Sequence, residues 1–98
     1  MKPENIVLTA NGYVCLTDFG LAKFLQEGEA THTFCGTSEY LAPEILLGQA
    51  YDHSVDWWTL GILVYELLIG IGRCPFKNIS DVTGGSKERM YNRIKYIK

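Results

Sequence analysis

Residues 55–69 constrain this chain more than any other stretch. Trp57, Trp58, Leu60, Ile62, Leu63, Val64, Tyr65, Leu67, Leu68 and Ile69 follow one another with few polar interruptions. Wound as a helix, these side chains cover every face. Such a helix sits inside a core or crosses a bilayer. A crossing needs about 20 apolar residues. This run is shorter, holds Glu66, and begins among Asp52, His53 and Asp56. The pattern therefore predicts a buried helix and no membrane span. Ser54 is the expected cap, and Asp56 places a negative charge in the first turn, where the helix dipole favours it.

Whether 98 residues can bury that helix depends on the rest of the chain. The sequence is 47% hydrophobic and 20% charged, which excludes a disordered tail. Its length allows one domain at most. A net charge of −2 leaves no basic footprint for nucleic acid. Cys15, Cys35 and Cys74 are odd in number and lack metal or redox spacing, which suits a reducing compartment. The expected setting is thus cytoplasmic or nuclear. His32 and His53 have no companions at zinc-ligand spacing. The opening residues contain no signal-peptide apolar region.

Two short β-type runs, Ile6-Val7-Leu8 and Tyr13-Val14-Cys15-Leu16, flank Asn11-Gly12. Asn-Gly supplies the positive φ angles of a tight turn, so an antiparallel hairpin is expected. Residues 18–44 lack periodicity and carry Gly20, Gly28, Gly36 and Pro43. A loop this long in a compact domain is functional or disordered. Residues 70–76 read as an irregular turn and 77–85 as a loop, with Gly84-Gly85 its strongest breaker. A last helix is expected over 86–96, with Met90, Ile94 and Ile97 on one stripe.

Three short motifs carry the chemistry. Lys2-Pro3-Glu4-Asn5 precedes the first strand, Asp18-Phe19-Gly20 follows the second, and Ala42-Pro43-Glu44 lies beyond. Each is weak alone. In this order, with a strand-turn-strand between the first two, they resemble the second half of the protein-kinase signature set. Residues 33–44, Thr-Phe-Cys-Gly-Thr-Ser-Glu-Tyr-Leu-Ala-Pro-Glu, narrow the likeness. So do Val55-Asp56-Trp57-Trp58-Thr59-Leu60-Gly61 and Tyr65-Glu66. Together they are similar to the AGC group of serine/threonine kinases, which includes the cyclic-AMP-dependent enzymes.

The resemblance implies an α+β fold, part of the kinase C-terminal lobe. Its parts would be a short hairpin, an activation segment, a buried central helix and a further helix. It implies ATP and Mg2+ as the nucleotide and ion of the complete domain. Phosphoryl transfer relies on positioning and electrostatics, and magnesium takes hard oxygen ligands. Asp18 and Asn5 match the magnesium-holding residues, and Lys2 matches the cation at the transferring phosphoryl group. Thr37 matches the threonine that touches the catalytic base. Thr33 matches the activation-loop phosphoacceptor, modified by an upstream kinase, with Lys23 as a partner of its phosphate. Thr31 is the less favoured acceptor. Glu4 and Glu66 match two acids that read an arginine near the acceptor, which implies protein substrates with basic sites. An acid inside an apolar helix is costly unless paired, so a partner for Glu66 is expected. Trp57 and Trp58 are expected in the core.

Some family parts have no counterpart in residues 1–98. These are the glycine-rich loop, the strand lysine and the H-R-D aspartate. The base would stand two positions before Lys2, and two closing helices are missing. The reading is therefore a partial catalytic domain over 1–98, inactive alone. The alternative is a non-catalytic regulatory or decoy fragment that binds substrates or regulators. Gly72-Arg73-Cys74-Pro75-Phe76 also replaces a shorter family turn.

Overall fold

The computed structural model describes residues 1–78 and 86–96. Ile97 and the Gly84-Gly85 breaker lie outside them. The element order is strand β1 (Ile6–Leu8), strand β2 (Val14–Leu16), helix α1 (Pro43–Leu46), helix α2 (Ser54–Ile69) and helix α3 (Ser86–Lys95). Short 3-10 turns cover Pro3–Asn5 and Ser38–Tyr40.

β1 and β2 pair antiparallel, with Ile6 opposite Leu16, Val7 opposite Cys15 and Leu8 opposite Val14. The expected hairpin is present, but its turn differs from the two-residue form. Gly12 donates its N–H to the Thr9 carbonyl at 2.9 Å, and Thr9 donates to the Tyr13 carbonyl at 2.8 Å. Gly12 alone takes a positive φ, +84°, and Asn11 does not. The Thr9 hydroxyl accepts the Tyr13 N–H at 2.9 Å, so a side chain closes the longer loop.

The core is built on residues 41–46. Leu41, Ala42, Ile45 and Leu46 pack with Cys74, Met90 and Ile94, bringing α1 against α3. Tyr51, Val55, Trp58, Phe76 and Tyr91 lie partly buried around them. The Trp58 and Phe76 rings stack with centroids 5.5 Å apart. Arg93 of α3 donates to the Phe76 carbonyl at 2.9 Å, fastening the turn after α2 to α3. Met90 and Ile94 thus form the buried stripe expected of the last helix.

α2 forms where the apolar run predicts it, yet within this chain it buries one face, carrying Ile62, Leu63 and Glu66. Trp57 is a correction, since it is 69% exposed rather than in the core. Leu67, Leu68 and Ile69 are exposed too. A helix apolar on all faces needs neighbours on all faces, and the other described elements reach only one. The described helices include none long and apolar enough to cross a membrane.

The helix start also corrects the capping assignment. Ser54 is the first helical residue, and no side chain caps from the preceding His53. Instead Asp52 Oδ1 accepts the Ser54 N–H at 2.8 Å. Hydrogen bonding to Ser54, its side chain first and then its backbone N–H, holds the Asp52 carboxyl below its usual range. Asp-x-Ser is a local turn that an aspartate closes through the N–H two residues on.

Candidate functional site

The hairpin positions the first group of residues. Pairing extends past β1, because Thr17 donates its N–H to the Asn5 carbonyl at 2.8 Å. Asn5 and Asp18 therefore sit at the same end of the hairpin, although 12 residues lie between them in sequence. Pro3 pre-sets the 3-10 turn that leads Asn5 into β1.

Asp18 is the one described non-glycine residue with positive φ, at +62°. That conformation costs an L-residue roughly 1–2 kcal/mol, and Asp tolerates it through local hydrogen bonding. Here Asp18 Oδ1 accepts the Gly20 N–H at 3.2 Å. Asp18 is exposed. Sequence reasoning missed this conformation, and the only signal for it is Gly20 two residues later.

Asn5 and Asp18 supply a neutral oxygen and a carboxylate at one edge. The described residues include no group of three or more His, Cys, Asp or Glu able to hold a metal. That sparse set does not suit an all-protein cage. It does suit magnesium, which takes one or two carboxylates, keeps waters and completes its shell with substrate phosphates. The donor types fit that ion.

Lys2 and Thr37 also meet. Lys2 Nζ donates to Thr37 Oγ1 at 3.2 Å, joining the first motif to the activation segment. Both residues were singled out in sequence, with nothing there to pair them.

The acids form a second group. Glu66 is 3% exposed and accepts a 2.5 Å hydrogen bond from the Tyr40 hydroxyl. The expected partner of Glu66 is thus a phenol in this chain. Burial, then the Glu66 hydrogen bond and charge, push the Tyr40 hydroxyl well above its ordinary value. The charge of Glu4 acts in the same direction, which sets Glu4 near this pair. Glu4 itself is exposed. Sequence reasoning missed Tyr40, for no local pattern points from a turn tyrosine to an acid on a distant helix.

The activation-segment residues lie apart from both groups. Thr31 bridges to Tyr51 through paired backbone bonds of 2.8 and 2.9 Å, and its side chain is buried. Lys23 Nζ donates to the Thr31 hydroxyl at 3.1 Å, so in the unmodified chain Lys23 meets Thr31 rather than Thr33. Thr33 is exposed, and its carbonyl is held by the Tyr51 hydroxyl at 2.6 Å. Lys23, Thr31 and Thr33 line a hollow of about 600 Å³ beside the start of α2.

Comparison with known proteins identifies the family. The protein kinase domain family matches residues 1–97. Protein kinase 2 of Dictyostelium discoideum is 51% identical over 82% of this chain and 17% of its own length. Serine/threonine-protein kinase YPK2/YKR2 of Saccharomyces cerevisiae is 60% identical over 72% of the chain and 11% of its own length. cGMP-dependent protein kinase 2 of Mus musculus is 55% identical over 84% and 10%. The chain spans 10–17% of the length of these relatives. It belongs to the protein kinase domain family, among relatives that are AGC-type serine/threonine kinases.

Proposed function

We propose that this chain is part of a serine/threonine protein kinase that transfers the γ-phosphate of ATP to protein hydroxyls. The contact between Lys2 Nζ and Thr37 Oγ1 carries the reading. It sets a cation and a hydroxyl of the activation segment side by side, near the hairpin motifs that hold Asn5 and Asp18. Lys2 is a compact point charge suited to a phosphoryl group bearing negative charge. Thr37 orients that ammonium.

The family generally uses ATP and Mg2+. In this chain Asn5 and Asp18 would hold the ion, which when bound neutralises charge on the phosphates. Asp18, fixed by its backbone and by Gly20, needs little rearrangement to accept it. A preorganised ligand of this kind avoids reorganisation during the reaction.

Glu4 and Glu66 favour substrates with an arginine near the acceptor. Glu4 is open to solvent, and Tyr40 holds Glu66 with one oxygen already engaged. Thr33 is the proposed target of an upstream kinase. Its exposure supports it over buried Thr31. A phosphate there would draw Lys23 from Thr31 across the shared hollow. Three free cysteines are consistent with a reducing compartment.

The test is phosphate transfer from labelled ATP by the full-length protein to serine peptides with and without a neighbouring arginine. Preferred labelling of the arginine peptides supports the reading. Equal labelling overturns the basic-site preference, and no labelling overturns the activity.

A further inference from the structure

Tyr51 ties the activation segment to the start of α2 at two points. The first is a backbone pair: Thr31 donates its N–H to the Tyr51 carbonyl at 2.8 Å, and its carbonyl accepts the Tyr51 N–H at 2.9 Å. In an antiparallel ladder the next such pair would join Thr33 to Gln49. Gln49 instead donates its N–H to the Glu44 carbonyl at 2.9 Å, at the end of α1. The ladder therefore stops after one pair. The Tyr51 hydroxyl takes up the Thr33 carbonyl at 2.6 Å, so a side chain replaces the missing backbone bond.

The anchor is firm on the α2 side. Tyr51 packs against the core cluster, and it precedes Asp52, which holds the Ser54 N–H at the first residue of α2. Burial first, then the charge of Cys35 and a hydrogen bond to it, raise the Tyr51 hydroxyl above its ordinary value. It stays a donor at neutral pH. Thr31, Thr33 and Lys23 line the same hollow, and Lys23 Nζ reaches the Thr31 hydroxyl at 3.1 Å. Its flexible four-carbon stem lets the ammonium move between neighbouring oxygens. Thr33 is exposed, so burial does not hold it.

We infer that Tyr51 is a positioning residue: its hydroxyl holds the Thr33 carbonyl and so keeps a phosphate on Thr33 within reach of Lys23. Tyr51 acts through the backbone of Thr33 and not on the phosphate itself. This inference rests on the modification proposed for Thr33.

The experiment is a phosphorus NMR titration of the full-length protein with phosphothreonine genetically encoded at position 33, which does not depend on the kinase that modifies it. A nearby ammonium favours the dianion, so Lys23 lowers the midpoint of the phosphate titration from its ordinary value of about 6. Tyr51→Phe keeps the ring and the backbone pair and removes only the hydroxyl. It should raise the midpoint by about 0.2–0.7 pH units, the worth of an exposed ion pair. Lys23→Met should raise it as much, and adding Tyr51→Phe to Lys23→Met should raise it no further. Glu27, Glu29, Asp52, His53 and Asp56 also line the hollow and are common to all four proteins. A midpoint that Lys23→Met raises and Tyr51→Phe does not overturns the inference alone. An equal rise with Tyr51→Phe in both backgrounds overturns it too, since that marks a general loosening. A midpoint unmoved by Lys23→Met overturns the pairing of Lys23 with the phosphate, and the inference falls with it.

Discussion

Lys2 Nζ donates a 3.2 Å hydrogen bond to Thr37 Oγ1, joining two residues 35 positions apart. The contact ties the turn before β1 to the segment that leads into α1. In the proposed reaction Lys2 is the cation at the phosphoryl group, and Thr37 holds it. Removing Lys2 should therefore affect chemistry more than binding. Lys2→Ala in the full-length kinase is expected to lower kcat on the order of 10²-fold, as for loss of a preorganised charge donor. Thr37→Val should cost less, about two- to tenfold, as for one hydrogen bond. Steady-state kinetics separate the two variants.

Tyr40 and Glu66 give a stability prediction. Tyr40→Phe leaves a buried carboxylate without its donor, at a cost of about 1–3 kcal/mol. A lower melting temperature checks this. The same pair predicts a pH dependence. The folded-state pKa of Tyr40 is raised above its ordinary value near 10. The folded state then holds the proton longer than the unfolded state. Stability is full below pH 10 and falls as the pH rises above it. Melting curves across that range should show a decline that is smaller in Tyr40→Phe.

Asp52 predicts the opposite slope. Its folded-state pKa is lowered, chiefly by hydrogen bonding to Ser54. Its contribution is present above the ordinary carboxyl range and fades as pH falls through the lowered value. Asp52→Ala should lower the melting temperature at neutral pH and make little difference in acid. Asp52→Asn, which keeps the acceptor, should retain most of the stability. Ser54→Ala should cost part of that stability and keep the rest, since the Ser54 side chain and its backbone N–H both hold the carboxylate.

Gly36 has φ +120°, and an added Cβ would meet Leu41 Cδ2 at 3.0 Å. Leu41 belongs to the core cluster, so it has little room to give. Gly36→Ala is expected to destabilise by roughly 1–3 kcal/mol, the cost of a disfavoured backbone conformation. Denaturant unfolding measures it.

The open faces of α2 predict behaviour of residues 1–98 alone. Trp57, Leu67 and Leu68 are 69, 65 and 79% exposed. An apolar surface of this kind associates. The isolated chain should self-associate and bind an apolar dye, and it should not turn over ATP. A monomeric sample with a cooperative melt would contradict the first expectation.

These features differ in how far the sequence shows them. β-branched runs around a glycine turn mark the hairpin, because strand pairing is local there. The apolar run marks α2, because its length and composition suit no other element. α1 escapes, since four residues are too few for periodicity, and only Pro43 at its start signals it. Its Ile45 and Leu46 nonetheless belong to the core. Motifs identify Lys2, Asn5, Asp18 and Glu66 singly. Their partners depend on long-range packing: Thr37 for Lys2, Tyr40 for Glu66. Lys23 shows the same limit, meeting Thr31 where the motif points to Thr33. The cap is a misreading of another kind, for Asp52 and Ser54 both suit a helix start and backbone geometry decides between them.

Asp18 offers the most direct test of the central claim. Its carboxylate stands at the same hairpin end as Asn5, on a backbone of positive φ. Transfer of labelled phosphate from ATP to a basic serine peptide should be measured for the full-length protein and for Asp18→Asn across a magnesium titration. Phosphoryl transfer at this site predicts that Asp18→Asn lowers kcat by about 10² or more and raises the magnesium requirement. Undiminished transfer by Asp18→Asn at the same magnesium concentration would contradict it.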